Sequence, residues 1–214
     1  MLLNRFVLLM SSSLELTADI EPEWVPAILE LEYEASLPFY DFVYADETEA
    51  RRVQRILFDA GSGEWAPPHG RAAVKGGELV GFLAGGTREE LESARRGASL
   101  TLARAGVLAD EDLAHRMQLA VGTLAQPGED DYYYGVFAIA PAARRTEVGT
   151  ELLELSWDEA RRAGARRTVG QAFGATQALI DYYERIGHEW TGEASAVDPK
   201  SGRELRYRHM THVL

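Results

Sequence analysis

The residues best placed to do chemistry stand in one short segment, where the apolar run Ala138, Ile139 and Ala140 passes through Pro141 into Arg144, Arg145, Thr146, Glu147, Val148, Gly149 and Thr150. A strand that turns into a helix within so few residues makes an anion site. The first amides of a helix have no intrahelical acceptor and lie at the positive end of its dipole, so backbone N–H groups alone can hold a phosphate or pyrophosphate. Arg144 and Arg145 add charge of the right sign. Glu147 adds the wrong sign, because a carboxylate repels a bound phosphate; in a helix's first turn it also gains about 0.3–1 kcal/mol from the dipole and can serve as a simple cap. A capped connection that binds nothing is the other reading of these residues.

A second group lies downstream: Thr176, then six residues, then Tyr183, Glu184, Arg185, Ile186, Gly187 and His188. Taken together the two segments resemble the GNAT superfamily of N-acetyltransferases. The first matches its acyl-coenzyme A loop (Gln or Arg, two residues, Gly, one residue, Gly or Ala) at Arg144 and Gly149, with Glu147 where the first glycine is expected. The second matches a helix signature of Asn, six residues, then Tyr-Glu-Lys-x-Gly-Phe, with Thr176 in place of the asparagine. The resemblance implies acetyl-CoA as cosubstrate, bound by 139–140, 144–150 and Thr176, and direct acyl transfer to an amine. It assigns oxyanion stabilisation to a strand N–H near Ile139 and protonation of the leaving thiolate to the Tyr183 phenol, whose other reading is an aromatic on the core face of an amphipathic helix.

The proton acceptor is harder to place. The family's frequent base position on the strand 167–173 falls at Gln171, which cannot take a proton, and another falls at Tyr133. Asp131 sits two residues before Tyr133 on the same strand face, with Glu129 and Asp130 near, and is the candidate for a water-relayed base; these acids also suit a solvated turn. For the acceptor amine the resemblance points to the segment 32–44, which combines Tyr33, Tyr40 and other aromatics with Glu32, Glu34 and Asp41. A packed joint between two helices is the competing reading. Tyr133, Trp190 and His209 complete the expected acceptor lining. The five histidines are scattered or, at His209 and His212, face opposite sides of a strand, so no metal is expected.

These groups need a scaffold, and the pattern supplies one. Strand 14–18 leads through the turn 19–26 into a helix with Ile28, Leu29 and Leu31, and a second helix opens at 46–49 and stops at Gly61. A hairpin 71–75/78–84 turns at Gly76-Gly77. The segment 87–126 is helical, with a capping box at Thr87 and Glu90 and apolar faces at Leu91, Ala94, Ala98 and Leu102, then Leu113, Met117, Ala120 and Leu124. Strand 132–140, helix 148–163, strand 167–173, helix 176–186 and strands 188–196 and 203–213 complete an α/β mixed, mostly antiparallel sheet flanked by helices. That order is the GNAT-like fold with a helical pair inserted between the third and fourth strands. The expected organisation is a loose leader over 1–13 and a single domain over 14–214. The inserted pair must cover the acceptor side or meet a second copy. A homodimer contact is expected over a lid, since Gly85-Gly86 offers one hinge but Pro127 stiffens the other.

Composition narrows the partners. A net charge of −12 argues against nucleic acid and favours cationic acceptors such as a small-molecule or peptide amine, while also serving solubility. The absence of cysteine removes disulfides, thiolate nucleophiles and Cys-based zinc sites. The apolar run 6–10 is too short for a secretory core or a membrane span, so no membrane is expected and a cytoplasmic location is. A GNAT-fold protein that binds a ligand or a partner without catalysis is the alternative, motivated by Glu147, Gln171 and Thr176.

Overall fold

The computed structural model describes residues 13–173 and 177–214. Seven strands form one sheet in the order β1-β2-β3-β4-β5-β7-β6: β1 (Leu14–Thr17), β2 (Gly70–Lys75), β3 (Glu78–Thr87), β4 (Asp131–Ile139), β5 (Arg167–Phe173), β6 (His188–Val197) and β7 (Glu204–Val213). Only β4 and β5 pair parallel, and the crossover between them is the helix α5 (Val148–Arg162). The other pairings among the described strands are antiparallel. Helices α1 (Val25–Val43), α2 (Glu47–Asp59), α3 (Arg88–Arg104), α4 (Glu111–Val121) and α6 (Gln177–Arg185) fall where the sequence pattern puts them, with α3 and α4 between β3 and β4.

The alternation of β3 and β4 separates two helical layers. Phe82, Ala84, Val136 and Ala138 face α1 through Ile28 and Leu31, whereas Leu83, Phe137 and Ile139 face α5 through Val148 and Leu152. Burying such Leu, Ile and Phe side chains contributes roughly 1.5–3 kcal/mol each. A third cluster joins α1 and α2 to the inserted helices and β7 through Tyr40, Phe42, Val53, Leu102, Leu113 and Leu205.

The aromatic segment 33–44 lies on α1, which runs unbroken to Val43 with Pro38 inside, and its Tyr33, Tyr40, Phe42 and Val43 share a buried cluster with Ala50 and Val53 of α2. Proline removes an i→i−4 hydrogen bond, but burial of Tyr33, Tyr40, Phe42 and Val43 along the same helix outweighs that loss. The inserted pair does have the apolar faces and the Thr87–Glu90 capping box, and Asp110 caps α4. Leu91, Leu102, Leu113 and Ala120 are buried within the chain, which accounts for this part of the apolar faces. Arg116 donates to the Val43 carbonyl at 2.7 Å and His209 Nε2 lies 2.8 Å from the Thr123 carbonyl, tying the pair to α1 and β7. The insertion thus packs on α1, α2 and β7.

Candidate active site

The β4–β5 ladder runs only from Asp131↔Arg167 to Tyr134↔Gly170. Beyond that point β4 continues to Ile139 and β5 to Phe173, and the two strands part. The β3–β4 register also jumps here, from Ala84↔Val136 to Gly85↔Tyr134, which leaves Gly135 as the extra residue of a bulge at the apex of the gap. Ala140 N–H donates to the Val80 carbonyl at 2.9 Å. By antiparallel alternation Ala138 therefore faces β3, while the amides of Phe137 and Ile139 face the gap.

A cavity of about 510 Å³ passes through this opening. On one side it is walled by α1, by Glu64 and Trp65 from the α2–β2 loop, and by the inserted helices. On the other it reaches Tyr134 and Phe137 of β4 and Leu179 and Tyr183 of α6. One chamber thus connects the two layers of the fold through the sheet.

Four polar side chains from four elements meet near the apex. Gln171 accepts from the Ala125 amide at 3.1 Å and donates to the Tyr133 hydroxyl at 2.8 Å. Arg95 of α3 hydrogen-bonds Glu64 through Nε, donates to Gln126 through Nη1 at 3.0 Å, and lies 5.9 Å above the Tyr133 ring. The Glu64 carboxylate stands beside the bulge, with Oε2 3.5 Å from where a Cβ on Gly135 would be, and that same Cβ would meet the Tyr133 ring at 3.0 Å. A side chain at 135 would crowd the Tyr133 ring and touch the Glu64 carboxylate, so the glycine keeps the apex open.

A second carboxyl, Glu32, is buried in the cavity wall. Its Oε2 accepts from Tyr40 Oη at 2.7 Å and from Gln54 Nε2 at 2.5 Å. Burial lifts it to about 7, against hydrogen bonds from Tyr40, Gln54 and Ser36 that favour the ionised form. Burial likewise pushes the Tyr183 phenol up to about 12, so it is protonated at neutral pH and able to donate.

The loop before α5 keeps its expected features with a different division of labour. Thr146 Oγ1 accepts from the Val148 amide at 3.3 Å and donates to the Ala143 carbonyl at 2.6 Å, whereas the Glu147 side chain makes no cap hydrogen bond. Thr146, not Glu147, is the cap. Among the described residues the amides of Thr146, Glu147 and Gly149 find no acceptor. Glu147 has φ −69°, which any residue adopts, so a glycine there would serve close approach of a ligand and not the backbone turn. Arg145 holds the left-handed conformation at φ 64°. Arg144 turns away from the loop, donating to the Ile139 carbonyl at 3.0 Å and to Glu34 of α1 at 2.5 Å.

The remaining sequence-derived residues divide. Tyr40 and Tyr133 line the cavity with Tyr183. Tyr33 is stacked between Tyr40, at 5.1 Å, and the Arg51 guanidinium, at 4.1 Å, and lines a neighbouring cleft. Trp190 packs on Tyr183 at 6.1 Å beneath Arg208, and His209 anchors Thr123; neither lines the cavity. Asp131 is also outside the lining. Burial opposes its ionisation, but Arg167 and the Gly128 amide outweigh this and hold its carboxyl below the usual range. Such a group ties β4 to β5 and is a poor proton acceptor. Ile139 is two residues beyond the gap-facing residue that lines the chamber, Phe137. Thr176 lies outside the described residues. Glu64 and Arg95 were not legible as site residues, since neither belongs to a spacing pattern. Among the described residues no group of three or more His, Asp or Glu is placed to hold a metal ion, and no helix is long and apolar enough to cross a membrane.

Comparison with known proteins agrees with this geometry. The family model described as "Acetyltransferase (GNAT) family" matches residues 27–188. Among solved structures, one described as an acetyltransferase is similar at TM-score 0.60 and 15% identity, over 94% of this chain and 99% of that one. An N-acetyltransferase from Staphylococcus aureus Mu50 gives TM-score 0.61 and 15% identity, over 89% and 96%. A GNAT family acetyltransferase from Elizabethkingia anophelis with acetyl-CoA bound gives TM-score 0.50 and 12% identity, over 96% and 99%. At these identities the structures speak for the fold alone. No curated protein matches the sequence.

Proposed function

Because the chain belongs to the acetyltransferase (GNAT) family, we propose that it is an N-acetyltransferase that moves an acetyl group from acetyl-CoA directly to a primary amine, on a small molecule or as an exposed amino group. The observation that carries this reading is the chamber through the β4–β5 gap, which gives a donor arriving on the α5–α6 side and an acceptor arriving on the α1 side a common meeting point. The residues present fit acetyl-CoA. The unfilled amides of Thr146, Glu147 and Gly149, with Arg145 beside them, suit its pyrophosphate, while Glu147 weakens that fit. Acetyl-CoA supplies an acyl group already activated as a thioester.

The chain's own groups then divide the work. The gap-facing Phe137 amide is positioned to donate to a carbonyl oxygen as it gains negative charge. The Tyr183 phenol, protonated at neutral pH, gives a proton to the departing sulfur. In balance, a C–N bond forms as the C–S bond breaks, the amine loses one proton, and the sulfur leaves as thiol. The net charge of −12 supports a cationic acceptor and speaks against nucleic acid, and we place the reaction in the cytoplasm. A non-catalytic binding module is the weaker reading, because such a module has no need of a donor group at Tyr183 or of a gap through the sheet.

Titration calorimetry with acetyl-CoA, followed by mass spectrometry of an amine panel after incubation, tests the proposal. Saturable binding and an added acetyl mass are expected. No binding at millimolar acetyl-CoA would refute it.

A further inference from the structure

We propose that the acceptor is a primary amine with a bulky apolar body and a single charge, its nitrogen against Glu64 and its body between α1 and the inserted helices. This rests on the acyl-transfer reading above. Three observations carry it.

The first is the lining of the α1 side of the chamber. Phe39, Tyr44, Leu57 and Trp65 form one wall, and Ala98, Leu102, Met117, Val121 and Leu124 of the insertion form the other. The whole chamber, on both sides of the gap, measures about 510 Å³, within the range that holds a drug-sized ligand. Such walls favour hydrocarbon and aromatic groups and give a second or third ammonium no counter-charge.

The second is the state of the charged groups there. Glu34 is paired with Arg144, and Oε2 of Glu32 is engaged by Tyr40 and Gln54. Glu64 alone stands beside the bulge at Gly135, where the thioester carbonyl must lie for an amine to reach it. Its carboxylate is held in place by Arg95, a residue of the insertion, so the same helix that forms the apolar roof also fixes the polar end.

The third is the elimination of other proton acceptors near the apex. Gln171 cannot take a proton, and burial holds Tyr133 protonated far above neutral pH. Asp131 is bound to Arg167 away from the cavity. Glu32 also lines the chamber, but its Oε2 is engaged by Tyr40 and Gln54, whereas Glu64 turns Oε2 toward Gly135 while Arg95 holds Oε1. On that geometry Glu64 takes the ammonium proton, directly or through water, and passes it to solvent, leaving the neutral nitrogen to attack the acyl carbon.

The test uses the full chain and begins without acetyl-CoA. Calorimetry with 2-phenylethylamine, octylamine, spermidine and phenylalanine is expected to rank the first two tightest. Tighter binding of spermidine overturns the apolar-body assignment. Tighter binding of phenylalanine overturns it too and would make Arg95 a carboxylate ligand. Ala98→Phe fills the chamber from a half-buried position and should weaken 2-phenylethylamine at least tenfold; equal binding of 2-phenylethylamine to both proteins refutes the placement. Glu64→Gln should lower kcat at least a hundredfold with KM changed less than threefold, and Glu64→Asp should restore part of it, which a merely structural role would not do. Should Glu64→Gln unfold the chain, the milder Glu64→Asp carries the test through a shifted pH profile of kcat. An unchanged kcat in Glu64→Gln, with loss in Glu32→Gln, transfers the role to Glu32 and overturns ours. Apolar amines that bind while acetyl-CoA does not would leave the chamber standing and refute the acyl-transfer reading alone.

Discussion

Replacing Glu32 by glutamine should stabilise the protein at alkaline pH and do progressively less as the pH falls. The side chain is 1% exposed and is held by Tyr40 and Gln54, so the carboxyl keeps its place whether or not it is ionised. Its value rises from an ordinary 4.5 to about 7 on folding. A raised acid binds more protons folded than unfolded between those values. Its contribution is therefore fully present below pH 4.5 and lost as the pH rises through 7. At 1.36 kcal/mol per pH unit the full loss is about 3 kcal/mol, of which about 2–3 kcal/mol falls between pH 5 and pH 8. Glutamine has the same shape, can accept from Tyr40 and Gln54 through its carbonyl oxygen, and carries no charge to bury. Urea unfolding of both proteins at pH 5, 6, 7 and 8, compared at equal m-values, isolates the effect. His188, which burial holds down at about 4, contributes a slope of opposite sign between pH 4 and 6.5, but equally in both proteins. A stability difference that is constant with pH, or that grows toward acid, would show that Glu32 is not a buried carboxyl in the folded chain.

Other outcomes follow from the loop and from α6. Glu147→Gly should tighten acetyl-CoA, because it removes a repelling carboxylate without altering a required φ; weaker binding by calorimetry would count against the loop as the pyrophosphate site. Arg145→Gly relieves a left-handed conformation worth about 1–2 kcal/mol, partly offset by glycine's greater freedom when unfolded, so a net gain of about 0.5–1 kcal/mol in urea unfolding is expected, with weaker acetyl-CoA binding from the lost charge. Tyr183→Phe keeps the ring packed against His188 at 5.1 Å and removes only the hydroxyl. It should lower kcat roughly tenfold with KM nearly unchanged, and an unaltered kcat would assign Tyr183 to packing.

Much of this architecture is legible from local rules. The apolar run that became β4, the glycine pair that turns β2 into β3, and the Thr87–Glu90 and Asp110 caps of the insertion are each written within a few residues. The anion-binding geometry before α5 is local as well, because unfilled amides follow from the start of a helix wherever it stands. Other features depended on distant partners. Local rules count Pro38 as unfavourable inside a helix and cannot weigh the buried aromatics that carry α1 through it. Apolar stripes on α3 and α4 announce a covered face without saying what covers it, and the answer lay in α1, α2 and β7. The site is the extreme case. Glu64, Arg95, Tyr133 and Gln171 come from a loop, an inserted helix and two strands, and only the bulge at Gly135 and the parting of β4 from β5 bring them to one point. Sequence sets which side chains carry charge and which segments must bury their faces; the tertiary structure decides which charges meet, since that depends on contacts between residues far apart in the chain.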